Sequence, residues 1–408
     1  MSKALYYIKQ LSHCIILILI PILLQSCSGD NNTISASYGN STSFNNTTID
    51  YRGTVIILET SDPKTDSVAV DPENLLLLKV QVKDHYGSSI EGVRVKLELN
   101  GINRSDSPLA NNDTTSDSPS KIFGEIITDE GLSGPGGVFY TAYSPPETLD
   151  NNLSKIKITA CIEGTKISSS LTIRLVPVPV VLVHGYQATY DIFSGLASYL
   201  QIQGFTTLGF EYNSMAGVAA GAEELSRYLA EKKQELAVSG IQTERFDIIS
   251  HSMGGLVARY YTCSKEYIQY SSVRKLIFIS VPQKGSDFAA LGQQYFNDAS
   301  VRDMSSDSDL FSFVFPEMIN GGINPSIQTA AILGMYDEVV SASGADLTDW
   351  GINTEIYEVG ESNLTVEKLL TGEILEAKNH KFILYNGKIF KRIVEMLNTT
   401  LPFPNTIN

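Results

Sequence analysis

Apolar residues are spaced in two different ways along this chain, and the change falls near residue 177. Before it, apolar and polar residues alternate. Val93-Arg94-Val95-Lys96-Leu97-Glu98-Leu99 shows the period of two, as do Ile156, Ile158, Ala160 and Ile162, and then Leu171, Ile173 and Leu175. That period predicts half-buried strands. Turn clusters separate them at Asp84-His85-Tyr86-Gly87, Asp129-Glu130-Gly131 and Gly134-Pro135-Gly136-Gly137. Short punctuated strands predict an all-β sandwich over residues 51–176. After Pro177-Val178-Pro179, read as a short stiff linker, the apolar runs become continuous. Val180–Val183, Phe205–Tyr212, Phe246–Ser250, Lys275–Ser280 and Thr329–Gly334 are strand candidates, and Val180–Val183 suits a strand covered on both faces. Ala219–Ala237 carries Leu225, Tyr228, Leu229 and Leu236 on one helical stripe, and Ile389–Leu397 is helix-like. Repeated strand–helix units predict an α/β domain with a mainly parallel sheet over residues 177–408.

The first residues follow a third pattern. Lys3 and Lys9 precede the apolar run Cys14–Leu24, which is too short to span a bilayer. Leu24-Gln25-Ser26-Cys27 resembles the bacterial lipobox. That resemblance implies a lipoprotein signal over 1–26, lipidation of Cys27 and a membrane anchor in the cell envelope. Ser28 is not the aspartate that retains lipoproteins at the inner membrane, which points to the outer membrane. Residues 27–50, rich in Ser, Asn and Thr, read as a flexible tether. A length of 408 residues suits two domains. A formal charge of −15 argues against nucleic-acid partners. Cys161 and Cys263 fall in different predicted domains, so no disulfide is expected. No phosphate-binding Gly-rich loop and no Cys/His zinc spacing occurs, so no cofactor and no metal is expected.

Chemistry enters at Ser250-His251-Ser252-Met253-Gly254-Gly255, between a strand candidate and the helix-like Leu256–Tyr261. Strand, tight turn and helix are the context of a nucleophile elbow, in which the turn lifts one serine hydroxyl above the sheet edge. Residues two before and two after that serine must be small, and here they are Ser250 and Gly254. The usual pattern is G-x-S-x-G, from which Ser250 departs by one hydroxymethyl group.

Elbow and strands together resemble the α/β-hydrolase family, of the bacterial triacylglycerol lipase and GPI-inositol-deacylase-like esterase type. Val183-His184-Gly185-Tyr186 resembles the family's HG motif, Ile279–Ser286 its T-P-H-x-G-S segment, and Val301–Ser308 the segment after its cap. The resemblance implies Ser252 as nucleophile and the backbone N–H groups of Tyr186 and Met253 as the oxyanion hole. The general base must then be a histidine. His13 lies in the signal, His85 in the β region, His184 in the oxyanion turn, and His251 should point away from its neighbour Ser252, which leaves His380. Leu333–Ser341 resembles the G-x-x-D-x-V-V segment of the lipases and offers Asp337 as the acid, with Glu338, Asp346 and Asp349 as rivals. Some of these lipases hold calcium with an aspartate two residues after the histidine. That position is Phe382 here, again implying no metal. Phe288, Leu291, Tyr295, Leu310, Phe311, Phe313, Val314 and Phe315 suit either an apolar lid or core packing. The stretch Val80–Val95 resembles bacterial immunoglobulin-like domains of the invasin/intimin type. The implied protein is an exported serine esterase or lipase acting on a lipid or other apolar ester. The alternatives are a surface adhesin with an inactive hydrolase domain, or an acyltransferase on the same fold.

Overall fold

A six-stranded parallel sheet organises the carboxyl-terminal half. In this computed structural model the described residues are 53–103, 120–150, 153–265, 267, 271–286, 289, 298–361 and 377–407. The lipobox cysteine, the tether and the lid candidates Phe288, Leu291 and Tyr295 lie outside them. Among the described residues no helix is long and apolar enough to cross a membrane.

The amino-terminal region is built of strands apart from short helical turns. One antiparallel sheet orders β1 (Val55–Thr60), β3 (Leu76–Lys83), β7 (Val138–Ser144) and β5 (Glu125–Ile126). The other contains β2 (Ser67–Ala69), β4 (Arg94–Asn103), β6 (Glu130–Leu132), β8 (Leu153–Ile162) and β9 (Ser168–Val176). The alternation read from the sequence is the burial pattern. Val95 and Leu97 on β4, and Ile156, Ile158, Ala160 and Ile162 on β8, are all buried.

The central sheet runs β11 (Thr207–Phe210), β10 (Val180–Val183), β13 (Phe246–His251), β14 (Val273–Ile279), β15 (Gln328–Gly334) and β16 (Thr354–Tyr357), every pair parallel. Its two faces are covered separately. Val181, Val183, Ile248, Leu276 and Phe278 pack against α2 (Val218–Val238) and α3 (Met253–Cys263). Val180, Leu182, Ile249, Ile277 and Ile279 pack against α1 (Ser194–Ile202) and the carboxyl-terminal helix Gly387–Asn398. Each such buried aliphatic side chain contributes about 1.5–3 kcal/mol. The chain reverses direction of strand order between β10 and β13, which opens a crevice at their carboxyl ends.

One charged residue inside this sheet has a structural explanation. Lys275 on β14 is fully buried, and its ammonium donates to the carbonyls of Met396, Leu397 and Thr399 at 3.0, 2.8 and 2.7 Å. It caps the end of the last helix, whose final carbonyls lack intrahelical donors. Burial pulls its pKa down to about 8.

The two regions form one compact unit, and the segment read as a linker is part of it. Val178 is buried, and the Pro179 carbonyl accepts the Asp247 N–H at 3.0 Å. A two-residue strand of the α/β region, β12 (Ile241–Gln242), pairs in parallel with β2 and so completes the second β sheet. Two ion pairs, one partly and one fully buried, close the seam. The Arg245 guanidinium binds Asp71 through both carboxylate oxygens, with Nε 2.7 Å from Oδ2. Arg274 meets Asp247 at 2.9 and 2.5 Å, and its Nη1 donates to the carbonyls of Val70 and Glu147 at 3.0 Å each. These contacts lie at the amino ends of the central strands.

Candidate active site

The opposite, carboxyl ends of β10, β13 and β15 carry the singled-out residues. Ser252 sits between β13 and α3 with φ 54° and ψ −132°. A left-handed φ on a residue with a side chain is uncommon and is held by its surroundings. Here the Ser252 N–H donates to the Ile279 carbonyl at 3.0 Å, and the helix begins at the next residue. Space dictates the small neighbours. A Cβ on Gly254 would stand 2.3 Å from the His184 carbonyl oxygen and 2.5 Å from that of Val183. Ser250 is fully buried, and its hydroxyl faces the Ile277 carbonyl at 3.5 Å, so the extra hydroxymethyl group is accommodated.

The turn after β10 runs directly past this serine. A Cβ on Gly185 would meet Ser252 Cβ at 2.8 Å and Oγ at 3.3 Å. Tyr186 follows, and Met253 is the first residue of α3, so its N–H has no intrahelical acceptor. His184 shapes the turn. Its Nδ1 donates to the Gly185 carbonyl at 2.9 Å, its carbonyl accepts the Tyr212 hydroxyl at 2.9 Å, and its ring stacks on Tyr212 at 4.6 Å. The Tyr186 hydroxyl donates to Asp298 at 2.5 Å, and the other oxygen of Asp298 accepts the Val301 N–H at 3.1 Å.

Asp337 and His380, 43 positions apart in sequence, are in contact. His380 Nδ1 lies 2.8 Å from Asp337 Oδ2 and 3.0 Å from Oδ1. Their side chains are 6% and 1% exposed. Burial raises the Asp337 pKa, but the His380 imidazole and the Val340 N–H outweigh it and hold the carboxyl below its usual range. The rivals are occupied elsewhere. Asp346 pairs with Lys284 at 2.9 Å, Asp349 pairs with the same ammonium at 3.2 Å, and Glu338 binds backbone N–H groups.

His380 also touches the elbow. The His251 ring, adjacent to Ser252 in sequence, lies 4.5 Å from the His380 ring between centroids. His380 Nε2 is buried without a hydrogen-bond partner, so no hydrogen bond joins it to Ser252 Oγ. Such bonds commonly tighten only with substrate. The sequence offered no contact for His251; the structure seats its Nε2 3.0 Å from the His380 carbonyl.

The lid-or-core question divides by residue. Leu310 and Phe315 are core, Phe311 and Val314 pack partly against it, and Phe313 is 63% exposed. Arg259 on α3 secures this segment. It is buried, lies 3.9 Å over the Phe315 ring, and donates to the Gly322 carbonyl at 2.7 Å and the Gln283 carbonyl at 2.6 Å. Among the described residues, no group of three or more His, Cys, Asp or Glu could hold a metal ion.

Residues 174–296 match a family described as PGAP1-like alpha/beta domain. The matched span contains Ser252 and ends before Asp337 and His380. No curated protein matches the chain. Among solved structures, a phospholipase from Legionella pneumophila is 17% identical over 41% of this chain and 44% of its own, with a TM-score of 0.35. The chain thus spans under half the length of that phospholipase. A thermophilic esterase from Thermogutta terrifontis is 12% identical over 55% of this chain and 92% of its own, at TM-score 0.34. An Escherichia coli adhesin is 10% identical over 30% of each chain, at TM-score 0.20. Likenesses so distant add nothing to the geometry. The parallel sheet with its elbow is an α/β-hydrolase-like fold.

Proposed function

We propose that this α/β-hydrolase-like chain is an exported, lipid-anchored serine esterase or lipase. The observation that carries the proposal is the buried Asp337–His380 pair set beside a serine at positive φ. Ser252 Oγ attacks the carbonyl carbon of an ester while His380 Nε2 takes its proton. Asp337 accepts the Nδ1–H of His380 and stabilises the imidazolium that forms. The N–H groups of Tyr186 and Met253 bind the oxyanion, each such donor being worth about 2.7–4 kcal/mol in the transition state. The tetrahedral intermediate collapses with cleavage of the bond to the alkoxy oxygen, and His380 gives its proton to the departing alcohol. Water, deprotonated by His380, then attacks the acyl-serine and releases the acid. If another alcohol replaces water, the same steps perform acyl transfer.

Apolar substrates suit the rim. Met215, Phe313 and Met335 are 49%, 63% and 54% exposed, and all lie in connections that leave the carboxyl ends of central strands. The β region is proposed as an immunoglobulin-like support for the catalytic domain, and Cys27 as the anchor. Metabolic labelling with an alkynyl fatty acid tests the anchor; equal labelling of wild type and Cys27→Ala refutes it. A fluorophosphonate probe tests the enzyme. Wild type is expected to be labelled and Ser252→Ala not. Labelling of both, or of neither, overturns the reading and leaves the binding-protein alternative.

A further inference from the structure

The contact with Asp337 accounts for the ring of His380 but not for what holds its backbone. His380 lies in a helix of five residues, Lys378–Phe382, entered through Ala377 at φ 49°. So short a helix has little stability of its own. Two side chains grip it from opposite sides. Glu338 accepts the N–H of Asn379 at 3.1 Å on Oε1 and the N–H of His380 at 3.0 Å on Oε2. These are first-turn donors without intrahelical acceptors, and a carboxylate satisfies them with charge-assisted bonds. The Asn379 side chain adds a bond to the Tyr336 carbonyl at 2.9 Å. On the other side His251 Nε2 meets the His380 carbonyl at 3.0 Å. A carbonyl only accepts, so the proton sits on His251 Nε2 and the buried Nδ1 is bare.

We propose that Glu338 and His251 are positioning residues that clamp the two peptide groups of His380 and thereby fix its imidazole relative to Ser252. The inference rests on the function proposed above. Glu338 follows Asp337 directly, so consecutive residues of one loop hold the ring and the backbone of one histidine. His251 precedes Ser252 directly, so the elbow itself reaches the same peptide. Any drift of His380 away from the serine has to break one of these bonds. Neither clamp residue takes part in proton transfer. Burial, reinforced by the neighbouring His380, holds the His251 pKa down at about 3, which keeps its ring neutral throughout the working range.

The test uses the full chain and p-nitrophenyl butyrate, with variants Glu338→Ala, Glu338→Gln, His251→Phe and His251→Gln beside Ser252→Ala and His380→Ala. Glu338→Ala and His251→Phe are expected to lower kcat by roughly 10- to 100-fold with KM within twofold, the range for a small misplacement of a catalytic group. Glutamine at 251 keeps a donor of similar reach and is expected to restore most of the rate. Glu338→Gln keeps one acceptor oxygen for the two N–H groups and is expected to retain more of the rate than Glu338→Ala. Unchanged kcat in Glu338→Ala and His251→Phe, while His380→Ala is inert, overturns the clamp alone. Equal loss in His251→Phe and His251→Gln overturns the role of its hydrogen bond. A wild-type protein that neither turns over the ester nor takes the fluorophosphonate overturns the function and the clamp together.

Discussion

The two ends of the central sheet treat buried polar groups in opposite ways. At the amino ends, Asp71, Asp247, Arg245 and Arg274 are paired through both carboxylate oxygens, and Arg274 spends its remaining donors on two carbonyls. At the carboxyl ends, His251 Nδ1, Gln283 Nε2 and His380 Nε2 are buried without a hydrogen-bond partner. Ser252 and Ser280 stand there at φ 54° and 49°. Unpaired buried groups cost about 1–3 kcal/mol each, so a chain that satisfies one end and leaves the other open is structured around the open one. The seam supplies stability and the rim holds groups ready to bond to something that arrives.

Substitutions at the two ends therefore separate stability from activity. The largest effect belongs to the rim: Ser252→Ala is expected to lower esterase kcat by about 10⁶-fold while the free energy of unfolding changes by about 1 kcal/mol or less. Parallel urea titrations and rate assays check it, and a large stability loss would erase the distinction. Next comes the seam. Arg274→Met leaves Asp247 buried and unpaired, which costs about 3–5 kcal/mol, while kcat per folded molecule stays as in wild type. Differential scanning calorimetry with active-site titration reads both quantities.

A smaller effect joins stability to pH. His251 ionises near 6.5 when unfolded and at about 3 when folded, so the unfolded chain binds the extra proton between those values. Stability from this residue is fully present above pH 6.5 and is lost as pH falls toward 3. His251→Gln should remove that share, giving a flatter acid limb in unfolding midpoints measured from pH 7 to 4. Smallest of all is Ser250→Gly, which restores the common elbow pattern. It costs about 0.5–1 kcal/mol for glycine in a strand and leaves kcat unchanged. A lost rate there would make the Ser250 hydroxyl part of the rim rather than filler.

Much of this was legible in the sequence, because long apolar runs and tight sterics leave few options. The continuous run Val180–Val183 is a strand covered on both faces, and Gly254 sits where two carbonyls exclude a Cβ. Asp337 and His380 meet, as chain order, the scarcity of histidine and the resemblance of Leu333–Ser341 to a lipase segment led one to expect. What escaped was short or carried by charge. β16 has four residues at a sheet edge and half-buried side chains, so its apolar signal is weak. β12 has two residues and no signal of its own. Asp71 and Arg245 lie 174 positions apart and nothing in the sequence marks them as partners. Glu338 looked like a rival acid because its reach to backbone N–H groups has no sequence mark. Pro177–Pro179 looked like a linker because proline punctuates both linkers and buried strand entries alike.

The pairing of β12 with β2 bears on the order in which the molecule can be made. During synthesis β2 emerges some way ahead of its outer neighbour, which arrives only with Ile241 and Gln242. Until then the rim of that sheet offers bare amides and carbonyls to any extended chain nearby, a hazard for aggregation. As an early product, the amino-terminal region therefore lacks one outer strand of its second sheet. Its second sheet is completed only once the α/β region has emerged as far as Gln242, and a chain cut short before residue 241 would carry an unfinished, adhesive border.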